Sequence, residues 1–384
     1  MFRGPRRAMR PIAWTAAVAA SVASCTVVNG LVVPESRDPQ DAAPVVEGAV
    51  VDADDGCPHA VPPPPSPAAD PPGDLDLFFV MKDIDFGGGK VGLDLDHACT
   101  CHPSAATCKS ASSNPNCDEL GGRDNVVGRL LTTIRDTAHF DIPARINALG
   151  SAGKGGLLLR LQGYSGGPDD PTVQVSFFPS RGVCTLPADD AGVSGPPGNP
   201  SADGGATQPT CTAPFYDERD KWSYDPTQLL DPKRMVSKLV ATNAYVVGGV
   251  LVASIDGALP LAGLDLRLQA GVVMARIATN PFRLEDGVGA GRWKLEDAFQ
   301  SIRKMKVSDS ASPLCLDTAY QFLSQTTICG LADIMDVPTA DNTSQTCNAV
   351  SVGMTFKGAP ATLGAAIPIE NEDNVCPEQT LGCR

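Results

Sequence analysis

Residues 245–277 read YVVGGVLVASIDGALPLAGLDLRLQAGVVMARI and predict mainly β structure. Their apolar runs are short and are interrupted by Gly-Gly and Asp-Gly steps, which favour tight turns. Three runs are therefore predicted as consecutive strands, at 245–255, 259–268 and 272–277. The first run has 11 residues, too few to cross a bilayer, because a spanning helix needs about 20 apolar residues.

Further strands are predicted upstream of this series. The segment 75–81, LDLFFVM, is rich in apolar residues, and 91–96, VGLDLD, alternates between apolar and polar residues. Two more runs, 157–162 and 172–178, flank the turn 163–171, which is rich in Gly, Pro and Asp. This arrangement predicts a hairpin.

Helical spacing of apolar residues occurs in two parts of the chain. One helix is predicted after Asp124, where four apolar side chains share a face: Val127, Leu130, Leu131 and Ile134. In the last third, a helix is predicted from the spacing of Trp293, Leu295, Ala298, Phe299, Ile302 and Met305. A further helix or helix pair is predicted from Leu316, Ala319, Tyr320, Leu323, Leu331 and Ile334.

The predicted elements place the chain in the mainly β class, with an α+β character overall. The body, residues 74–282, is predicted as an antiparallel β-sandwich and is loosely similar to concanavalin-like sandwich proteins. It contains a low-complexity loop, 185–210, with five prolines and five glycines. Residues 283–384 are predicted as a helical, disulfide-rich C-terminal region packed on the sandwich.

The segment before the body, residues 25–73, differs from it in composition. Positions 34–72 contain eleven prolines, eight acidic residues and one arginine. Such a segment cannot bury enough apolar surface to offset its ordering entropy. It is predicted to be an extended, disordered tether that Cys57 staples to the body.

The first 25 residues are organised like an export signal. Four arginines precede an apolar run at 12–22, and small residues then precede a cysteine: Arg3, Arg6, Arg7, Arg10, Ala23, Ser24 and Cys25. The motif from Val22 to Cys25 resembles the lipobox of bacterial lipoproteins. The resemblance implies that residues 1–24 are a signal peptide, that Cys25 is lipidated, and that the mature chain is anchored to a membrane.

Two residues near this motif bear on processing and destination. An ordinary secretory signal ending near Ala20 is the alternative, and it would leave Cys25 as an unpaired thiol. Thr26 stands where an aspartate retains enteric-type lipoproteins at the inner membrane. The resemblance therefore implies the outer membrane, facing either the periplasm or the cell surface.

Net charge excludes one class of partner. Removing residues 1–24 takes four arginines from 30 basic residues, which leaves 26 against 44 acidic residues and a net charge of about −18. Such acidity argues against nucleic-acid binding and against electrostatic docking on anionic lipid. Membrane attachment is therefore assigned to the lipid anchor alone.

Twelve cysteines remain when Cys25 is set aside, and an exported chain with this number is predicted to form disulfides. The candidates are Cys57, Cys99, Cys101, Cys108, Cys117, Cys184, Cys211, Cys315, Cys329, Cys347, Cys376 and Cys383. Cys184 with Cys211 would clamp the low-complexity loop, and Cys376 with Cys383 would close a small terminal loop. The four cysteines from 99 to 117 can pair as two disulfides. The alternative there is a zinc site with His97 and His102.

Carboxylates concentrate around the same cysteines. The candidates for a calcium site are Asp94, Asp96, Asp118, Glu119 and Asp124. A strand at 91–96 would place the first two on one face, and disulfides would bring the others close. The alternative is a solvated acidic face in which Asp124 caps the following helix.

One motif typical of hydrolases has a simpler interpretation. Residues 163–167 match the nucleophile pattern G-x-S-x-G around Ser165. The elbow of a hydrolase requires a helix after the serine, and Pro168 and Pro171 prevent a regular one. The motif is therefore predicted to be a hairpin turn without catalytic function.

Two function classes follow from these observations. The first is a non-enzymatic, surface-anchored lipoprotein that binds a ligand such as a glycan or an envelope protein, or that has a structural role. The second is a secreted polysaccharide hydrolase on a β-sandwich scaffold. The hydrolase would need two carboxylates about 5 to 9.5 Å apart in a cleft with aromatic walls.

The lipobox yields the first testable prediction. Cys25→Ser is expected to release the protein from membranes or to stall its precursor, because the thiol that receives the lipid is lost. Metabolic labelling with a fatty-acid probe, followed by membrane fractionation, checks this. A wild-type protein that is unlabelled and fully soluble would contradict it.

Overall fold

Nine antiparallel strands form one sheet in the computed structural model of the chain. The strands are β1 (Leu75–Asp85), β2 (Gly156–Tyr164), β3 (Gln174–Ser180), β4 (Leu239–Val240), β5 (Asn243–Val247), β6 (Val250–Leu261), β7 (Leu264–Ala278), β8 (Arg283–Lys294) and β9 (Ala349–Pro360). They are hydrogen-bonded in the order β4-β3-β2-β1-β9-β8-β7-β6-β5. The structure describes residues 50–51, 56–67, 73–102, 104–112, 115–138, 140–186, 209–261, 263–306, 313–316, 328–369 and 376.

The sheet is curled, and one segment connects its two ends. Residues 239–247 supply both edge strands, β4 beside β3 and β5 beside β6. At the crossing, the backbone N–H of Ala241 donates to Val175 at 2.9 Å and that of Thr242 donates to Ser254 at 2.8 Å. Mainly β structure is thus confirmed. The described residues form a single curled sheet, however, and not the two facing sheets of a sandwich.

Four small ribbons lie outside the sheet. They pair Val50–Val51 with Pro58–His59, Cys184–Thr185 with Thr210–Cys211, Leu229–Asp231 with Val236–Ser237, and Lys221–Tyr224 with Thr362–Ala366. The second ribbon closes the base of the low-complexity loop, whose residues 187–208 lie outside the described part.

Strand boundaries in the 245–277 series differ from the prediction. Gly248 and Gly249 both have positive φ, +55° and +77°, and form a two-residue hairpin that divides the predicted first strand into β5 and β6. The Asp256-Gly257 step is a bulge inside β6 and not a break. Glycine and Asp-Gly signal turns and bulges alike, so the pattern alone could not separate them.

The predicted strand at 91–96 is wrong, because these residues form an irregular loop. Its alternation has another cause. Leu93 packs on the outer face of the sheet with Tyr245 and Val252, while the next side chain, Asp94, is buried among other carboxylates. An extended loop between two buried layers thus produces the same sequence pattern as a strand.

Three α-helices accompany the sheet in the described residues: α1 (Val126–Ala138), α2 (Ile142–Ser151) and α3 (Leu295–Lys304). The helix predicted after Asp124 is confirmed as α1. Its N-terminal N–H groups are capped by Asn125, whose Oδ1 accepts from the N–H of Gly128 at 2.9 Å, and not by Asp124. Helix α2 was not predicted, although Asp141 caps it by accepting from the N–H of Ala144 at 2.8 Å.

The C-terminal region is less helical than predicted in the part that the structure describes. Helix α3 is confirmed, but Trp293 belongs to β8, and β8 and β9 lie near the middle of the sheet. Residues 317–327 of the further predicted helix lie outside the described residues. Leu331 and Ile334 are not helical, and Ile334 forms a β-bridge with Ala349. Short 3₁₀ turns occur at Gly87–Gly89, Pro226–Gln228, Leu314–Leu316 and Pro338–Ala340.

The largest apolar core combines side chains from the sheet with side chains from all three helices. Alternating residues of β2 and β6 enter it, as do Val127 and Ile146 from α1 and α2 and Phe299 from α3. A second cluster, around Trp222, covers the other face of β1, β2 and β3. None of the described helices combines the length and apolar character that crossing a membrane requires.

Five disulfides join described residues: Cys57–Cys99, Cys101–Cys117, Cys108–Cys347, Cys184–Cys211 and Cys315–Cys376. The predicted staple at Cys57 and the predicted clamp of the low-complexity loop are confirmed. Cys329 is disulfide-bonded as well. This number of disulfides indicates an oxidising, extracytoplasmic compartment.

Two disulfide predictions were wrong. Of the four cysteines from 99 to 117, only Cys101 and Cys117 pair with each other, and Cys376 pairs with Cys315 instead of Cys383. Both predictions assumed that cysteines near in sequence pair. Folding brings Cys108 against Cys347 across 239 residues, so pairing follows the tertiary structure.

The G-x-S-x-G motif forms the turn between β2 and β3, as predicted. The N–H of Ser165 donates to Asp170 Oδ2 at 2.9 Å, and Ser165 Oγ accepts from the N–H of Gly167 at 3.2 Å. The hydroxyl of Tyr164 donates to the carbonyl of Gly167 at 2.8 Å. These bonds stabilise the turn locally and account for its polar residues.

One buried arginine connects the sheet to two loops. Arg292 of β8 is only 1% exposed. It forms a bidentate pair with Asp341, with N–O distances of 2.8 and 2.7 Å, and donates to the carbonyls of Met335 at 2.8 Å and Leu95 at 2.6 Å. The loop after residue 91 and the loop that ends at Asp341 are therefore held by one guanidinium.

Arg292→Ala is expected to lower the free energy of unfolding by about 3 to 5 kcal/mol, since Asp341 and two carbonyls lose their buried donor. Arg276→Ala is the matched control on the adjacent strand β7, because Arg276 pairs with Glu285 and Asp286 but is half exposed. Its loss should cost about 1 kcal/mol or less. Urea denaturation of both variants measures the difference, and equal losses would contradict this role of Arg292.

Candidate metal centre

Three predicted ligands converge in the structure. Carboxylate oxygens of Asp94, Asp96 and Asp124 lie within 4.8 Å of one another. Asp118 lies beside this group, and the neighbouring Asp124 and Asp96 both influence its pKa. Glu119 does not belong to the group of three, and its backbone pairs instead with Arg123. We call Asp94, Asp96, Asp118 and Asp124 the acidic centre.

Two irregular loops carry the acidic centre and are joined along their backbones. The N–H of Asp124 donates to the carbonyl of Leu93 at 3.0 Å, and the N–H of Asp118 donates to that of Thr100 at 3.2 Å. The disulfide Cys101–Cys117 links the same two loops. No sheet pairing is needed to bring the carboxylates together, which explains why the wrong strand prediction still pointed to the right residues.

Donors from the same loops fix the orientation of these carboxylates. Asp124 Oδ2 accepts from the N–H of Leu95 at 2.7 Å, and Asp118 Oδ2 accepts from that of Thr100 at 2.6 Å. Asp96 accepts from the N–H of Ala98 at 3.1 Å and from the hydroxyl of Thr107 at 2.6 Å. These hydrogen bonds orient the carboxylates in the absence of an ion, which reduces the entropy cost of binding one.

Asp94 has one oxygen that lacks a hydrogen-bond partner. Its Oδ2 contacts Nδ1 of His59, whereas its Oδ1 is buried and unpartnered. The residue is 4% exposed, so water cannot readily satisfy that oxygen. An anionic oxygen left in this state is costly. A cation bound at the centre would satisfy it.

A glycine makes room for this arrangement. Gly122 has φ +65°, and a Cβ at this position would lie 2.5 Å from Asp94 Oδ2 and 2.9 Å from the carbonyl oxygen of Ala98. Any larger residue would push the loop away from Asp94. The Gly121-Gly122 step between Cys117 and Asp124 thus has a steric function at the centre.

Burial and mutual repulsion shift the titration of the whole group. Burial raises the pKa of Asp94, Asp96 and Asp124, and it raises the pKa of Asp118 to about 7. The negative charge of Asp96 raises the pKa values of Asp94, Asp118 and Asp124 further. Such a group either retains protons near neutral pH or binds a cation.

Oxygen donors favour a hard cation, and a site with several carboxylates suits Ca²⁺ better than Mg²⁺, which proteins usually bind through only one or two carboxylates. The zinc alternative is not supported, because Cys99 and Cys101 are both in disulfides and His97 and His102 are exposed. His59 lies close to the sulfurs of Cys57 and Cys99. Those two sulfurs are bonded to each other and offer no thiolate.

Sequence reasoning missed two residues at this centre. His59 lies in the predicted tether, and only its position two residues after Cys57 hinted at contact with the body. Asp333 is half-buried, and desolvation raises its pKa to about 6, while hydrogen bonds from Ser351 oppose that shift. Its charge raises the pKa values of Asp118 and Asp124, although it lies more than 200 positions later in the chain.

Comparisons with known proteins do not identify the chain: no family model, curated protein or solved structure matches it. The assignment of the centre therefore rests on its geometry. The carboxylates are clustered and oriented, and Oδ1 of Asp94 is buried without a hydrogen-bond partner. Cys99 and Cys101 are in disulfides and cannot bind a metal as thiolates.

The raised pKa values predict an unusual dependence of stability on pH. In excess chelator, the melting temperature should fall as pH rises from about 4 to about 8. A carboxyl group whose pKa is higher in the folded state than in the unfolded state binds its proton more tightly when folded, so protonation stabilises the fold. This contribution is complete below the unfolded-state pKa of 3.8. It is lost as the pH rises through the folded-state pKa, which is about 7 for Asp118. Saturating Ca²⁺ should remove this decline, with a gain of about 2.7 kcal/mol at a concentration of 100 Kd.

Asp96→Asn should abolish the response to Ca²⁺ and leave the chelated protein nearly as stable as the wild type. Asp231→Asn is the control, because this carboxylate caps an exposed turn outside the centre. Differential scanning fluorimetry at several pH values measures both. A melting temperature that ignores calcium from micromolar to millimolar would show that the carboxylates hold protons instead.

Proposed function

We propose that the protein is an exported, lipid-anchored envelope protein in which a calcium centre fastens the folded body to its N-terminal tether. In this proposal it binds a ligand or has a structural role and is not an enzyme. The observation that carries the proposal is the position of Asp94. Its carboxylate belongs to the acidic centre, and Oδ2 of the same carboxylate contacts Nδ1 of His59 in the tether.

Several contacts place the end of the tether against the centre. The N–H of Ala60 donates to Gly121 at 2.8 Å, and the carbonyl of Ala60 accepts from the N–H of Asp94 at 2.9 Å. The hydroxyl of Tyr245 donates to the carbonyl of Pro63 at 2.7 Å. Together with the disulfide at Cys57, these contacts attach the end of the tether to both loops of the acidic centre.

The anchor and compartment agree with this arrangement. Cys25 and the signal peptide lie outside the described residues, and the lipobox resemblance supplies the outer-membrane location. The disulfides support export into an oxidising compartment. A tether that pulls on the body transmits force through residues 56–67, which is where a disulfide and a bound cation would reinforce the structure.

Burial of the carboxylates favours binding over hydrolysis. Asp94, Asp118 and Asp124 are each less than 10% exposed, and the first and last of these lie within a cluster 4.8 Å across. Carboxylates that cleave a glycosidic bond must flank it in an open cleft. The secreted polysaccharide hydrolase remains the alternative.

Hydrogen–deuterium exchange tests the link between calcium and tether. Adding Ca²⁺ to chelated protein should slow exchange at least tenfold in peptides covering 56–66, 91–101 and 117–125, because these segments share the centre. A peptide covering Gln174–Ser180, in strand β3, is the internal control and should not change.

Asp94→Asn should remove the protection of 56–66 along with that of both loops. Asp231→Asn should retain it. Slower exchange in the two loops without any change in 56–66 would leave a calcium site but contradict its role in fastening the tether.

A further inference from the structure

A cavity of about 140 Å³ lies between helix α2 and the adjoining ends of strands β1 and β2. Its described lining also includes Leu261 of β6 and Tyr216, which lies in the loop before the ribbon strand Lys221–Tyr224. None of the four carboxylates of the acidic centre is among these lining residues. The cavity is therefore a second candidate site, separate from the proposed calcium centre.

The cavity lies where β1 and β2 separate. Their pairing ends at Val80 and Leu158, and beyond that point the Asn147 side chain of α2 bonds to the backbone of β1. Its Oδ1 accepts from the N–H of Ile84 at 2.9 Å, and its Nδ2 donates to the carbonyl of Ile84 at 2.8 Å. An amide side chain has two donors and two acceptor sites. Asn147 is therefore held in a fixed orientation and retains one donor and one acceptor site for a ligand.

Two residues that line the cavity have a backbone conformation that residues other than glycine rarely adopt. Asp83 has φ +51° and Tyr216 has φ +62°. Strained residues of this kind concentrate at binding and active sites, where the surrounding structure holds a side chain in a required position. The presence of two of them at one small cavity favours a binding function over a packing gap.

The lining has an apolar floor and a polar rim. The floor consists of four buried core side chains, those of Met81, Ile146, Leu157 and Leu261. The rim carries hydrogen-bonding side chains that are half-buried or exposed, namely Lys82, Asp83, Asn147, Ser151 and Tyr216. Small-molecule sites in proteins combine apolar lining with a few placed polar groups in this way.

Each charge at the rim has an opposite partner. Lys82 and Asp83 are the only charged residues in the described lining. Nζ of Lys82 lies 3.6 Å from Asp83 Oδ2, and Nζ of Lys357 lies 3.5 Å from the same oxygen. Nζ of Lys82 also lies 4.4 Å from the centre of the Tyr216 ring. Because burial raises the pKa of Tyr216, its hydroxyl stays protonated at neutral pH and can donate. These groups suit a neutral ligand with hydroxyl groups better than an ion.

The size of the cavity suits one six-membered ring. A cavity of about 150 Å³ can hold one benzene molecule, and the volume here is about 140 Å³. At Gly155, a Cβ would meet no atom within 4 Å, so the rim borders open space into which ring substituents can extend. A pyranose ring has C–H groups on its faces and hydroxyl groups around its edge. This distribution matches an apolar floor below a hydrogen-bonding rim.

We propose that this cavity binds the pyranose ring of a neutral sugar. A C–H face of the ring packs against the apolar floor, and Asn147, Ser151 and Tyr216 form hydrogen bonds with its hydroxyl groups. The ring can belong to a free monosaccharide or to the terminal residue of a glycan. Binding here does not depend on the proposed calcium centre, because the two sites share no residue.

Saturation-transfer NMR on the wild-type protein tests the site, because it detects weak binding of small ligands. The probes are glucose, galactose, mannose and N-acetylglucosamine, with phenol as a ring of similar size that has a single hydroxyl group. We expect transfer to the ring protons of at least one sugar. Transfer to none of the sugars, or to phenol alone, would overturn the proposal.

Two variants locate the binding in the cavity. Ser151→Leu places a larger apolar side chain at the rim, at an exposed position near the end of α2, and should weaken binding at least tenfold. Tyr216→Phe removes one hydroxyl group and should weaken it about two- to tenfold, the range for one neutral hydrogen bond. Tyr224→Phe is the matched control, because Tyr224 is also half-buried but is not among the lining residues. Equal effects of the two tyrosine variants would contradict the assignment.

A disaccharide that ends in the sugar that binds identifies the source of the ring. Binding at least as tight as that of the monosaccharide supports the end of a glycan, and binding of the monosaccharide alone supports a free sugar. Unchanged melting temperatures show that each variant folds, and Tyr216→Phe decides alone if Ser151→Leu does not. The calcium response of the same variants should stay intact, so failure at this site is distinguishable from failure at the calcium centre.

Discussion

The buried guanidinium of Arg292 is the interaction on which the functional part of the structure depends. It lies on a strand near the middle of the sheet, where water cannot solvate it, and its charge and donors must therefore be satisfied by protein. The carbonyls of Leu95 and Met335 and the carboxylate of Asp341 meet that requirement. Satisfying one buried cation thus fixes two loops that have no regular secondary structure.

The acidic centre is built on one of those loops, and this sets its electrostatics. Leu95, which donates to Asp124 through its N–H and accepts from Arg292 through its carbonyl, lies between Asp94 and Asp96. The charge of Arg292 is largely compensated by Asp341, so it leaves the carboxylates of the centre in excess. A bound cation would then complete a charge balance that the polypeptide alone does not achieve.

Disulfides and the proposed calcium ion both stabilise the irregular loops of the acidic centre. Loops such as 91–124 bury few apolar side chains relative to their length, and ordering them costs conformational entropy. Cys57–Cys99 and Cys101–Cys117 restrict them in the unfolded state, and a cation would stabilise only the folded state.

The sequence alone predicted the features that depend on local pattern: the resemblance to a lipobox around Cys25, the β series at 245–277, the helices after Asp124 and at Leu295, and the concentration of aspartates near Cys99. These signals come from neighbours along the chain. The tertiary structure decided the rest, because it depends on contacts between distant segments. A hairpin at Gly248 and a bulge at Gly257 have similar sequence signals, and only pairing with adjacent strands separates them. His59 and Asp333 reach the acidic centre only in the folded chain, since no periodicity relates residues hundreds of positions apart.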